Sequence, residues 1–168
     1  MLDKSFDFQT AQAEFTKEWE ESGLTHADPS SDKEPFTIMM PPPNVTGSLH
    51  VGHALVMTLQ DVLVRYHRLR GKDVLWMPGT DHASIAVDVL VSKQLESEGL
   101  SKRQVGREEF LKRCWQQKEQ SGGTILQQVR QLGGTPDWSR ERFTMDDAYM
   151  KSVITIFVKM YKDGLIYR

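Results

Sequence analysis

The sequence contains little that would cross-link the chain or carry it into a membrane. Its single cysteine, Cys114, excludes an internal disulfide framework and any zinc site built on several cysteines. No uninterrupted apolar stretch approaches the roughly 18 residues of a membrane-spanning helix, so no membrane partner is expected. Asp3, Asp7 and Glu14 run against the basic, acid-poor composition of targeting peptides. These absences imply a reducing, cytoplasmic setting. Net charge is only -2 over 168 residues, so no global basic field gathers nucleic acid. Neither a Walker loop nor Gly-x-Gly-x-x-Gly is present.

What is there suffices for a folded domain. Hydrophobic residues make up 39% and charged residues 26%, too apolar for a disordered chain. The near-neutral total hides a split, with nine acids against three bases over residues 1–40 and fourteen against eighteen beyond. A modestly basic body behind an acidic leader suits a small anionic ligand, and it is equally what a solvated surface looks like.

Apolar periodicity predicts a helix over 9–22, a polar connector over 28–35, and a short buried strand, Phe36-Thr-Ile-Met-Met40, ended by Pro41-Pro42-Pro43. Leu55, Leu59, Val62, Tyr66 and Leu69 follow at helical spacing up to Gly71, and Asp73-Val-Leu-Trp-Met77 is a second strand. Strand, helix, strand makes a βαβ unit with an expected right-handed crossover. Further helices are expected over 83–97, 107–120 and 123–132. Another, carrying Met150 to Tyr161, is expected behind a cap at Thr144-x-x-Asp147, with a third strand starting at Leu165. The expected fold class is α/β: a partial, Rossmann-like, doubly wound parallel sheet with an N-terminal helical leader and a helix-rich second half. Two or three strands are few for such a sheet, which implies part of a larger domain. The boundaries drawn are 1–34 for the leader and linker and 35–168 for the α/β part.

Chemistry concentrates in the thirteen residues from Pro41 to His53, between the first strand and the first long helix. Open α/β sheets bind ligands at that position, and helix N-termini present free N–H groups to phosphate. His50 and His53 lie one helical turn apart, and Gly52 between them removes a Cβ. The histidines could bind phosphate, cap the helix, or start a metal site. The last would need a third ligand such as Asp81 or His82, and no metal is expected.

His50-Val-Gly-His53 resembles the signature tetrapeptide of class I aminoacyl-tRNA synthetases. The wider string Pro-Pro-Pro-Asn-Val-Thr-Gly-Ser-Leu-His-x-Gly-His-Ala is more specific. It resembles the valine branch of the subgroup that handles valine, isoleucine and leucine. The likeness continues through Trp76-x-Pro-Gly-Thr-Asp-His-Ala83, Gly106-Arg-Glu-x-Phe110, Ser121-Gly-Gly-Thr124 and the block Asp137–Asp146, covering residues 6–168. It implies ATP-dependent activation of valine, with Mg2+ accompanying the ATP, and transfer to tRNA(Val) by a monomeric enzyme. By that resemblance His50 and His53 are catalytic donors to phosphate, and Thr46 and Gly52 complete the ATP contacts, Gly52 leaving room for adenine. Pro41, Pro42 and Asn44 line the amino-acid pocket and Asp81 pairs with the α-ammonium, a role compatible with capping the next helix. Trp138, Arg140 and Arg142 are expected to be structural, with the arginines paired to Asp137 or Glu141, and Cys114 to be inert core.

The resemblance breaks at Ser84, Val87 and Asp88, where the family usually has glycine, threonine and glutamine. No Lys-Met-Ser-Lys-Ser-like loop is present, and neither an editing nor an anticodon-binding domain follows. The expectation is therefore the first half of a catalytic domain, truncated near the start of the editing insertion, with weak activity or none in isolation. Two other classes stay open: a nucleotidyltransferase of the same superfamily, and a non-catalytic paralogue that binds nucleotide or tRNA.

Overall fold

Proline has no amide proton, so three in a row must end the ladder of the first strand. The computed structural model describes residues 6–168; the start of the leader, Asp3 included, lies outside the described residues. The order of elements is α1 (Phe8–Ser22), β1 (Pro35–Met39), α2 (Val51–Leu69), β2 (Asp73–Met77), β3 (Gly79–Thr80), α3 (Ser84–Ser97), α4 (Lys102–Gln131), a 3-10 turn at Trp138–Arg140, β4 (Arg142–Phe143) and α5 (Asp147–Lys162).

β1 and β2 pair in parallel from Pro35↔Asp73 to Met39↔Met77, with α2 as the crossover. Phe36, Ile38, Val74 and Trp76 meet Met57 and Val64 of α2 and Val129 of α4 in one core cluster. The alternate residues of β1 are exposed, so this strand is half-buried rather than fully buried as expected. β3 and β4 form a second parallel pair. A Cβ on Gly79 would stand 2.7 Å from the Arg142 carbonyl, so only glycine permits this approach. The architecture is mixed α/β with short parallel strands. A second cluster, Val45, Val87, Val91, Leu95 and Phe110, joins α3 to α4.

The two helices expected over 107–132 are one. A Ser101-capped turn over 102–105 comes first, Gly106 is non-helical (φ 77, ψ 172), and from 107, the expected start, α4 runs through Gly122-Gly123 without a break. Gly122 is buried, and a Cβ there would stand at ordinary contact distance, 3.8 Å, from the Val45 side chain. The C-terminal part of α2 is held to the 133–135 turn. Asp61 accepts from the Thr135 N–H and hydroxyl (3.0 and 2.6 Å), and Arg68 donates to the Thr135 carbonyl at 2.8 Å. α1 lies against the end of α4, where Arg130 donates to Glu20 at 2.6 Å. Arg130 also stacks its guanidinium 3.9 Å from the Trp138 ring centre.

Asp137 ties the segment before β1 to the turn before β4. Its carboxylate is buried and accepts from the Ala27 N–H (3.1 Å) and the Ser139 hydroxyl (2.6 Å), with Arg140 3.2 Å away. Burial raises its pKa, but the bonds from Ser139 and Ala27 and the nearby His26 prevail, holding the carboxyl below its ordinary value. Arg140 is structural as expected, and Arg142 donates to the Glu141 carbonyl.

Two expectations fail at the C-terminal end. Asp146, not Thr144, caps α5, accepting from the Tyr149 N–H at 2.6 Å. No strand forms at Leu165–Arg168. Gly164 ends the helix, and Leu165 and Tyr167 are exposed, with no strand edge alongside to take up their backbone groups. α5 itself has no buried residue, although Val153, Ile154, Phe157 and Val158 give it a marked apolar face. Among the described residues no helix is long and apolar enough to cross a membrane.

Exposure decides what each helix contributes to stability. Leu95 is fully buried, so Leu95→Ala should cost about 3 kcal/mol by denaturant unfolding. Phe157, more than half exposed, should cost under about 0.5 kcal/mol on truncation to alanine. Equal losses in the two variants would contradict this placement of α5.

Candidate active site

Past Met40, whose N–H closes the β1–β2 ladder on the Met77 carbonyl at 3.0 Å, the prolines carry the chain across the C-terminal end of the strands. Two loops are then zipped together. Asp81 N–H donates to the Pro43 carbonyl at 2.8 Å and Val45 N–H to the Asp81 carbonyl at 3.0 Å, making a parallel bridge between Asn44 and Asp81. Along paired extended chain, neighbouring residues face opposite sides. Asn44 and Asp81 therefore share one side, and Val45 and His82 the other.

The loop enters α2 through a cap made of the two histidines. His50 is the N-cap residue, in extended conformation (φ -124, ψ 173). Its Nδ1 accepts from the Gly52 N–H at 3.1 Å, and the His50 N–H donates to Nδ1 of His53 at 3.3 Å. The rings lie side by side, centres 4.0 Å apart. A ring nitrogen that accepts a backbone N–H carries no proton, so in the neutral rings the proton sits on Nε2 of both. The cap leaves two N–H donors clear of the backbone at a helix N-terminus, where the dipole favours anions. His50 is exposed and His53 half-buried. Burial, and after it the neighbouring His50, hold the His53 imidazole below its ordinary pKa. Gly52 serves this arrangement directly, since a Cβ there would stand 2.9 Å from Cε1 of His50.

Asp81 is fixed differently. One carboxylate oxygen accepts from the Ala83 N–H at 2.6 Å, closing a turn in which Ala83 takes a left-handed conformation (φ 40). Ala83, without a side-chain bond, stands at the cap position of α3, so Asp81 shapes the turn and does not cap that helix. The hydroxyl of Thr144 accepts from the His82 N–H at 2.8 Å and lies 2.6 Å from its Nδ1. Thr144 thus anchors the Asp81 turn from β4. Pro41, Pro42 and Asn44 are exposed beside it, Asp81 and Thr46 half-buried. On the opposite side of the zipped loops is a cleft of about 220 Å³ whose lining includes Val45, His82, Ser84, Asp88, Cys114 and Phe143. Burial pushes the Cys114 thiol up, leaving it protonated at neutral pH. Asp88 is paired to Lys102. Among the described residues no group of three His, Cys, Asp or Glu side chains is placed to hold a metal ion.

The structure thus brings His50, Gly52 and His53 together in one helix turn, and Asn44 beside Asp81 across the zipped loops. Two residues that hold these loops escaped the sequence reading. Thr144 carried a signal that pointed to a helix cap, and Gln128, whose side chain meets the loop before His50, carried none.

Protonation should loosen the histidine cap. His53 has a lower pKa folded than unfolded, so its contribution is complete above the ordinary histidine value near 6.5 and is lost as pH falls through the folded value. Amide protection at the first turn of α2, taken as exchange relative to the intrinsic rate at each pH, should therefore fall between about pH 7 and 5, more than at the first turn of α4, whose cap is Ser101. Equal loss of protection at both would contradict a histidine-based cap.

Comparison with known proteins agrees with this architecture. Residues 14–168 match the family described as tRNA synthetases class I (I, L, M and V). The valine–tRNA ligase of Nostoc sp. is 53% identical over 167 residues, covering 99% of this chain and 16% of that protein. The Mesorhizobium japonicum valine–tRNA ligase is 51% identical over 170 residues, covering 100% and 18%. That of Granulibacter bethesdensis is 53% identical over 169 residues, covering 100% and 19%. The chain thus spans under a fifth of the length of these relatives. The fold also matches the LeuRS of Agrobacterium radiobacter, solved as a ternary complex with tRNA and LeuAMS. That match has a TM-score of 0.77 at 24% identity and covers 97% of this chain and 19% of that one. With the family matched over nearly the whole chain, this protein belongs to the class I tRNA synthetases.

Proposed function

We propose that the chain supplies the nucleotide-binding half of a valine–tRNA ligase, with residues 35–168 as a Rossmann-like half-domain behind a helical leader and linker over 1–34. The observation that carries this reading is the pair of imidazoles held side by side at the N-terminus of α2, each with Nδ1 on a backbone N–H and so with Nε2 left as the outward donor. Identity of 53% to the Nostoc valine–tRNA ligase along the chain supports valine as the amino acid and tRNA(Val) as the acceptor.

In the reaction, the valine carboxylate attacks the α-phosphorus of ATP in line, giving valyl-adenylate and pyrophosphate; a hydroxyl of the terminal ribose of the tRNA then attacks the valyl carbonyl, forming the ester and releasing AMP. Such a transfer needs positioning and charge stabilisation rather than a protein nucleophile. His50 and His53 donate from Nε2 to phosphate oxygens as negative charge builds. Neutral rings suit this role: each keeps its Nδ1 on the backbone while Nε2–H faces the anion. Gly52 serves ATP by letting the His50 ring lie back over the helix turn, and Thr46 adds a hydroxyl nearby. Mg2+ arrives with the nucleotide. Asp81 has one oxygen engaged by Ala83, and the other takes the ammonium of valine, with Pro41, Pro42 and Asn44 against the side chain. One methyl group is worth only about 1–3 kcal/mol of discrimination, so this half-site alone selects weakly among small aliphatic amino acids.

Calorimetric titration of the 168-residue protein with Mg-ATP tests the proposal. Binding is expected, and His53→Ala should weaken it about tenfold, the effect of losing one hydrogen bond to a charged group. Asp81→Ala should leave ATP binding unchanged and abolish any valine-dependent ATP–pyrophosphate exchange. Wild-type affinity in His53→Ala would remove the assignment.

A further inference from the structure

We propose that Gln128 is a positioning residue for the two histidines. This rests on the function proposed above and concerns the same site. Its amide oxygen accepts from the Leu49 N–H at 2.7 Å, across 79 residues of sequence. Leu49 immediately precedes the N-cap, and its side chain packs against the first core cluster. The next amide in the chain, that of His50, is the one donated to His53. Holding Leu49 by both side chain and N–H fixes the backbone rotation that aims the His50 N–H at the His53 ring. Gln128 is suited to this because its neighbour Val129 is buried in the same cluster, so the amide projects from a fixed point on α4. Without it the His50 N–H swings away, Nδ1 of His53 loses its donor, and the ring is free to carry its proton on either nitrogen.

Long-range proton–nitrogen correlation of the histidine rings tests this on the 168-residue protein without nucleotide, near pH 7.5. Gln128→Met removes the acceptor at nearly equal length, and Gln128→Asn keeps an amide that is one methylene too short. Gln128→Glu retains an acceptor oxygen, and Gln127→Met, at an exposed neighbour, is the control. Native protein, Gln128→Glu and Gln127→Met should show the Nε2–H pattern for His50 and His53. Gln128→Met and Gln128→Asn should move the His53 signals toward tautomer-averaged values and leave His26 and His67 in place. Mg-ATP affinity should fall about fivefold in the same two variants, as expected for one lost neutral hydrogen bond. The Asn variant decides the matter should the Met variant not fold. Unmoved ring signals in a folded variant overturn the proposal. Native protein that shows the Nε2–H rings but binds no nucleotide contradicts the proposed function instead, and the ring comparison still judges Gln128.

Discussion

Two imidazoles share the first turn of α2, each tied through Nδ1 to a backbone N–H of that turn. The bonds are modest, each worth about 1 kcal/mol, yet they decide which face of each ring is available. Ser or Asp caps a helix and is then spent. Histidine has a second nitrogen on the far side of the ring, so it can cap and still donate outward. That double use explains why this helix begins with histidines although they are ordinary helix formers and poor caps.

The remainder of the fold holds that turn and the Asp81 turn in place. The prolines end β1 without leaving unsatisfied donors, and the Asn44–Asp81 bridge zips the two loops. Behind them α4 runs with Gly122 facing Val45, and it brings Gln128 to the loop. β4 brings Thr144 to His82, an approach that requires glycine at position 79. The Asn44–Asp81, Gln128–Leu49 and Thr144–His82 contacts each cross a long stretch of sequence and end on backbone within two residues of a candidate ligand group.

Local chemistry made part of this legible. The proline triplet marked the end of β1, Gly71 the end of α2, and the spacing of His50 and His53 placed both rings on one side of a helix. The α/β class followed from strand, helix, strand. What escaped was decided by tertiary partners. Gly122-Gly123 resembles a break, but the helix continues through both, with Ser121, Gly122 and Ile125 buried on its inner side, so tertiary packing outweighs the cost of glycine in its interior. Leu165–Arg168 has strand composition and no neighbouring edge. Thr144 has cap composition, but Asp146 takes the cap and leaves the threonine hydroxyl for His82. The apolar stripe of α5 was visible, whereas its exposure was not, since periodicity reports which face is apolar and never what covers it.

The most direct test of the account is a crystal structure of this chain with a non-hydrolysable ATP analogue. Phosphate oxygens within hydrogen-bond distance of Nε2 on both His50 and His53, with both Nδ1 atoms still on the backbone, is the predicted result. A nucleotide bound away from the start of α2, or histidine rings released from their backbone contacts to reach it, would contradict it.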